Sequence, residues 1–194
     1  ILDQKLTGVW QAIIPFDING DGEMDYLLGN WGLNSKFTSK EDFPLKMYYS
    51  DFDENGNTET IVAYEKDGEY YTVAGLDELS SQMRFLKRKF TSYKDFAGKP
   101  LEDLIDEEQL ENATLLTAHI LASGYLLNTG GKFTFKTFDT SLPVAPLTTF
   151  LKFDFDGDGK EEVLAGGNYF GVSPYHGRLG SLSGNIITSE GTIL

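Results

Sequence analysis

A nine-residue acidic pattern occurs three times in this chain and restricts its fold more than any other feature: Asp17-Ile-Asn-Gly-Asp-Gly-Glu-Met-Asp25, Asp51-Phe-Asp-Glu-Asn-Gly-Asn-Thr-Glu59 and Asp154-Phe-Asp-Gly-Asp-Gly-Lys-Glu-Glu162. Every copy reads D-x-[DN]-x-[DN]-G-x-x-[DE]. The three copies hold 13 of the 30 acidic residues and one of the 16 Lys and Arg, so they carry −12 of the net charge of −14. The acidity is local rather than a general means of staying in solution.

Carboxylates gathered in this way repel, by roughly 4 kcal/mol for two unit charges about 4 Å apart at an effective dielectric near 20, unless a cation sits among them. The oxygen-only donor set, in a chain with no Cys and only His119 and His176, points to calcium rather than zinc or copper. Side chains at loop positions 1, 3 and 5 converge on one centre, a Gly at position 6 permits the sharp turn, position 7 offers its carbonyl and position 9 closes the cage. That makes six or seven oxygens, a number that suits calcium. The bland alternative is a set of solvated turns, since Asp, Asn and Gly favour turns without any metal. Three copies with an acid always at position 9 weigh against it.

An EF-hand requires a Glu at position 12 between two helices. Position 12 is Leu28, Val62 and Ala165 here, and each loop is followed by a strand-like run such as Tyr26-Leu-Leu-Gly, Thr60-Ile-Val-Ala-Tyr or Val163-Leu-Ala-Gly. Two copies continue alike, from Phe16-Asp17 to Gly29-Asn30-Trp31-Gly32 and from Phe155-Asp156 to Gly167-Asn168-Tyr169-Phe170-Gly171. In these motifs, which cover about half of the chain, the sequence resembles the FG-GAP or VCBS repeat family, in which such a loop joins two strands of a β-propeller blade. The resemblance implies a mainly β fold of propeller-like blades, up to three calcium ions, and a bacterial secreted or surface protein used for binding more than for catalysis. By matching positions it assigns as metal ligands Asp17, Asn19, Asp21, Glu23 through its carbonyl and Asp25; Asp51, Asp53, Asn55, Asn57 through its carbonyl and Glu59; and Asp154, Asp156, Asp158, Lys160 through its carbonyl and Glu162. The third loop offers four side-chain carboxylates against three in each of the others, and is expected to bind most tightly.

Around the loops the sequence predicts strands over Val9–Phe16, Asp25–Gly29, Leu45–Ser50, Glu59–Glu65 and Glu69–Ala74, the last two joined by a Lys66-Asp67-Gly68 turn. Leu79, Met83, Leu86 and Phe90 then fall at i, i+4, i+7 and i+11 and predict an amphipathic helix after an Asp77 cap. Ser92 reads as a cap, Pro100 as a helix N1 residue, and Asp106 with Gln109 as a capping box. Strands return at Ala118–Asn128, Lys132–Phe138, Leu147–Phe153 and Glu162–Gly166, with one more in the tail Ser181–Leu194. The expected organisation is one propeller-like unit over 1–194 with a helical insertion at 76–114. A complete propeller needs at least four four-stranded blades. About ten strands amount to a partial one, whose edges the rest of a larger propeller or another chain would cover.

Two further segments stand out. Arg84 to Lys99 holds Arg84, Lys87, Arg88, Lys89, Lys94 and Lys99 with Phe90, Tyr93 and Phe96, and reads first as a solvated helix face with aromatics turned inward, second as a grip for an anionic partner. Asn168 to Arg178 gathers Tyr169, Phe170, Tyr175, His176 and Arg178, first as corner packing, second as a glycan or peptide surface. His119 reads as a packed histidine and His176 as an exposed one, and no nucleophile motif accompanies either.

The excess of acid argues against nucleic acid, and no apolar run reaches the length of a membrane span. The opening Ile1-Leu2-Asp3-Gln4-Lys5 has no initiator Met and no signal-peptide core, as expected of a piece of a longer product. Calcium sites of the extracellular kind bind at about 0.1–1 mM, too weakly for the cytosol. The expected setting is therefore extracellular, cell-surface or periplasmic. The function expected is a non-enzymatic, calcium-stabilised adhesion or binding module with a protein or glycan ligand. The alternative is a calcium-supported polysaccharide hydrolase or lyase, or an accessory domain of one, since paired carboxylates also serve glycosidases.

Overall fold

The computed structural model describes residues 5–139, 142, 144–172, 177, 179–180, 182–190 and 193. The chain divides into two compact units, one of residues 1–36 with 120–194 and one of residues 37–119. It is mainly β, and all named strands pair antiparallel.

The first unit holds two sheets. One runs in the order β1 (Ala12–Pro15), β2 (Tyr26–Gly29), β7 (Gly124–Thr129), β8 (Lys132–Thr137). The other runs β11 (Asn185–Ile187), β10 (Glu162–Gly167), β9 (Leu147–Phe153). Leu27, Leu147, Val163, Ala165 and Ile187 are fully buried in one core cluster, to which Phe16 and Ile18 are also committed. The apolar runs after the loops therefore become the strands that fill the core, as a buried strand with few charges must.

The Gly-Asn pairs whose glycines end β2 and β10 have a packing reason. A Cβ on Gly29 would lie 2.2 Å from the Leu147 carbonyl oxygen, and one on Gly167 1.7 Å from that of Pro146. In both copies the next Asn spends its amide on backbone. Asn30 donates to the Ile120 carbonyl at 2.9 Å, and Asn168 donates to and accepts from Leu182, both at 2.9 Å. Gly167→Ala forces a backbone shift in a packed interior, and is expected to lower stability by about 2 kcal/mol in urea denaturation. An unchanged midpoint would show that the close approach is not needed.

The second unit carries the sheet β5 (Glu69–Thr72), β4 (Glu59–Lys66), β3 (Leu45–Ser50), β6 (Thr114–Ala118). β4 alternates buried and half-buried residues along its length, the pattern of a strand with one face on a core. Its turn into β5 places Asp67 and Gly68 at φ 55° and 90°, and Glu65 accepts from the Gly68 N–H at 2.8 Å and from Lys40 at 2.6 Å. The Lys40 hydrogen bond first, and the Gly68 one second, hold the Glu65 carboxyl below its ordinary range.

Five short helices, α1 (Leu76–Gln82), α2 (Phe85–Lys89), α3 (Tyr93–Phe96), α4 (Leu101–Leu104) and α5 (Glu107–Asn112), fall within the segment expected to be helical. The single amphipathic helix expected over Leu79 to Phe90 is instead two, because Met83 closes α1 in an extended conformation. Leu79, Met83, Leu86 and Phe90 are nonetheless all buried in one cluster with Ile61, Leu101 and Leu104. The apolar spacing specified inward contact, which two short helices satisfy as well as one. Helices this short are held by packing rather than propensity. Gly75, not Asp77, occupies the N-cap, and Glu78 reaches back to its N–H at 3.2 Å. Asp106 caps α5 without a side-chain hydrogen bond. The capping box expected there is absent, because Gln109 donates instead to the Phe52 carbonyl at 2.8 Å.

Of the strand expected over Ala118–Asn128, Gly124 to Asn128 form part of β7 and Ala118 ends β6, most of which precedes that range. β6 pairs with β3 and β7 with β2, so the intervening residues carry the chain from one unit into the other. His119 lies in that passage, where its carbonyl accepts from Ser39. Tyr175, His176, Arg178, Ser181 and Leu194 lie outside the described residues, as do Ile1 to Gln4.

Candidate metal centres

All three acidic loops cap hairpins, β1 to β2, β3 to β4 and β9 to β10, and they close with the same register. The residue before position 1 pairs with position 9 each time: Phe16 donates to the Asp25 carbonyl at 3.0 Å, Ser50 faces Glu59, and Phe153 faces Glu162. Hairpin ends that match in register bring the same loop positions to the same places.

The carboxylates then organise the backbone between them. At position 1, Asp17, Asp51 and Asp154 each accept the N–H of the position-6 glycine, at 2.8 Å from Gly22, 2.8 Å from Gly56 and 3.0 Å from Gly159. Position 5 accepts from the N–H of position 7 in every copy: Asp21 from Glu23 at 2.7 Å, Asn55 from Asn57 at 2.8 Å, and Asp158 from Lys160 at 2.8 Å. Position 9 is withdrawn from solvent, with Asp25, Glu59 and Glu162 exposed by 0%, 3% and 8%. Each accepts the N–H of position 2, at 3.1 Å from Ile18, 2.8 Å from Phe52 and 2.9 Å from Phe155. A carboxylate there gives this shielded backbone N–H its acceptor, whose loss would cost about 1–3 kcal/mol.

Positions 4 and 6 both need positive φ. Gly20, Glu54 and Gly157 have φ of 70°, 56° and 79°, and Gly22, Gly56 and Gly159 have 86°, 87° and 87°. Glu54 alone occupies this left-handed region with a side chain, at a cost of about 1 kcal/mol. Glu54→Gly is therefore expected to stabilise the chain by roughly that amount, read as a higher urea midpoint. A loss of stability would show that the Glu54 side chain contributes more than its backbone costs.

The loops differ in how far their carboxylates converge. Oxygens of Asp51, Asp53 and Glu59 lie within 4.8 Å of one another, as do those of Asp154, Asp156 and Glu162. In the first loop Asn19 stands at position 3, hydrogen-bonded to Asp21 at 2.7 Å, and Asp25 uses its second oxygen on the Asn128 N–H at 2.7 Å. Asp53 Oδ1 is buried without a hydrogen-bond partner, the one such side-chain atom among the described residues. Three carboxylates at such spacing repel pairwise by about 3–4 kcal/mol at an effective dielectric near 20. A hard divalent cation bound there would relieve that repulsion and give Asp53 a partner. The side-chain donors are all carboxylate or amide oxygens, the chemistry calcium takes.

Of the other segments singled out in the sequence, Arg84, Lys87, Arg88 and Lys89 are exposed, while Phe90 packs inward with its ring edge-on to Phe96, centroids 5.6 Å apart. Tyr93 instead faces solvent. Lys99 is paired with Asp103 at 3.3 Å. Tyr169 packs its ring 5.4 Å from Trp31, and Phe170 is 65% exposed. No helix among the described residues is long and apolar enough to cross a membrane. No family model, curated protein or solved structure matches the chain.

Proposed function

We propose that this chain is a calcium-stabilised, propeller-type binding module of the FG-GAP or VCBS kind, working outside the cytoplasm. The observation that carries the reading is the threefold recurrence of one loop geometry, in which a solvent-shielded acid at position 9 closes a hairpin and two of the three loops gather three carboxylates within 4.8 Å. Turn chemistry alone explains left-handed glycines but not a buried acid at the same place each time. The three hairpins belong to three antiparallel sheets, two of four strands, the number in a propeller blade, and one of three among the described residues.

In this reading, calcium is held by Asp17, Asn19, Asp21 and Asp25 in the first loop, by Asp51, Asp53, Asn55 and Glu59 in the second, and by Asp154, Asp156, Asp158 and Glu162 in the third. The carbonyls of Glu23, Asn57 and Lys160 complete the sets. The ion's role is structural: it ties two strands of a hairpin together and holds the connecting backbone. Binding of a glycan or protein then falls to the surfaces so fixed.

Calorimetric titration of the calcium-free chain tests the reading, with three sites expected and the third loop, which has four carboxylates, the tightest. Single-loop variants Asp17→Ala, Asp51→Ala and Asp154→Ala assign the sites, and a chain that takes up no calcium at millimolar concentration refutes the proposal. An array of glycans and extracellular proteins, read with calcium and then with chelator, tests the binding role. Calcium-dependent breakdown of a polysaccharide, lost on substitution of a carboxylate outside the loops, would favour a hydrolase or lyase instead.

A further inference from the structure

Beside the second loop lies a cleft of about 340 Å³ whose lining carries charges of both signs. Asp53 and Glu54 of the loop line it together with Arg84, Phe85 and Arg88. Arg84 is already in helical conformation at the N-cap of α2, so Arg84 and Arg88 stand one turn apart on the same face. Among the described residues neither guanidinium comes within 4.0 Å of a carboxylate oxygen, although Asp53, Glu54 and Asp106 line the same cleft. Two guanidiniums thus line a cleft whose acids pair with neither of them. In the same lining, Gln109 has committed its amide N–H to Phe52 and keeps its carbonyl oxygen, and the Asp106 carboxylate makes no capping bond.

We propose that this cleft binds an anionic sugar residue, a pyranose bearing a carboxylate or a sulfate ester, with the anion on Arg84 and Arg88. Paired guanidiniums match planar or tetrahedral oxyanions with two N–H donors each, a geometry lysines do not offer. Asp106, Glu54 and the Gln109 carbonyl are acceptors for sugar hydroxyls, and Phe85 gives the half-buried apolar face on which a ring's C–H edge rests. The volume sits at the lower end of ligand clefts, about 300–1,000 Å³, and suits a sugar unit or two rather than a folded partner.

The inference rests on the calcium reading in one respect. Without a cation the lining side chains sum to −1, three acids against two arginines, whereas an ion in the second loop neutralises Asp53 and turns the balance toward the anion. Calcium and the sugar should therefore strengthen one another's binding, and by equal factors.

Calorimetry on the full chain at fixed free calcium, with a uronate disaccharide, a sulfated disaccharide and a neutral disaccharide of the same linkage, tests this. At least one charged probe is expected to bind, with the neutral one at least tenfold weaker. Arg84→Gln with Arg88→Gln should lose the charged probe by tenfold or more while its calcium-dependent melting shift stays that of the wild type, which shows that the fold and the loop persist. Removal of calcium should weaken the charged probe several-fold. Equal binding of charged and neutral probes, binding by neither charged probe, or undiminished affinity in the double variant would overturn the proposal. Absence of a calcium-dependent melting shift in the wild type would instead count against the calcium reading, and the arginine dependence would still decide the cleft.

Discussion

Asp25→Ala is expected to remove about 4 kcal/mol of stability, more than any other single substitution in the three loops. The Asp25 side chain is fully buried and accepts two backbone N–H groups, Ile18 at 3.1 Å within its own loop and Asn128 at 2.7 Å on β7. Alanine removes the acceptor of both, the buried Ile18 N–H and the partly buried Asn128 N–H, at a cost of about 1–3 kcal/mol each. The same change also opens the hairpin between β1 and β2 where its register is set. Asp25→Asn retains one acceptor oxygen and should lose about half as much. Glu23→Ala, which removes an exposed acceptor for the Gly130 N–H, should lose less than about 1 kcal/mol. Urea denaturation of the three variants gives the ranking. A loss below 1 kcal/mol for Asp25→Ala would mean that water reaches those N–H groups and that the acid is there for another reason.

Local chemistry was legible in the sequence where neighbours decide it. Leu45–Ser50 and Leu147–Phe153 form strands over the residues expected, since each is a run of apolar and β-prone residues between a turn and an acidic loop. The loop positions were legible for a similar reason, because Gly at position 6 and acids at positions 1 and 9 are constraints within nine residues. What the sequence hid is long-range. Nothing near Gln109 shows that its amide is used by Phe52 rather than by its own helix, and nothing near Asp25 shows a bond to Asn128, 103 residues away. The run through His119 hid both β6 and its end at Ala118, because apolar residues continue on either side and only the strand partners, β3 and then β2, differ. Glu54 at a left-handed position escaped notice because the pattern allows any residue there, and only the two glycines at the equivalent positions hint at the conformation.

The second large effect concerns the metal. With free calcium at about ten times Kd, each occupied loop adds roughly 1.4 kcal/mol, so three add about 4 kcal/mol against a typical total of 5–15 kcal/mol. The gain is concentrated where carboxylates would otherwise repel across 4.8 Å or less, around Glu59 and Glu162. Both units contain loops, the first two and the second one, so both should respond.

Thermal unfolding followed by circular dichroism, in millimolar calcium and again after EDTA, bears most directly on whether divalent cations hold these hairpins. The expected result is a fall of about 10 °C on chelation, taking 2–4 °C per kcal/mol for a chain of this size, and recovery when calcium is restored in excess. A melting curve that does not move would contradict the account.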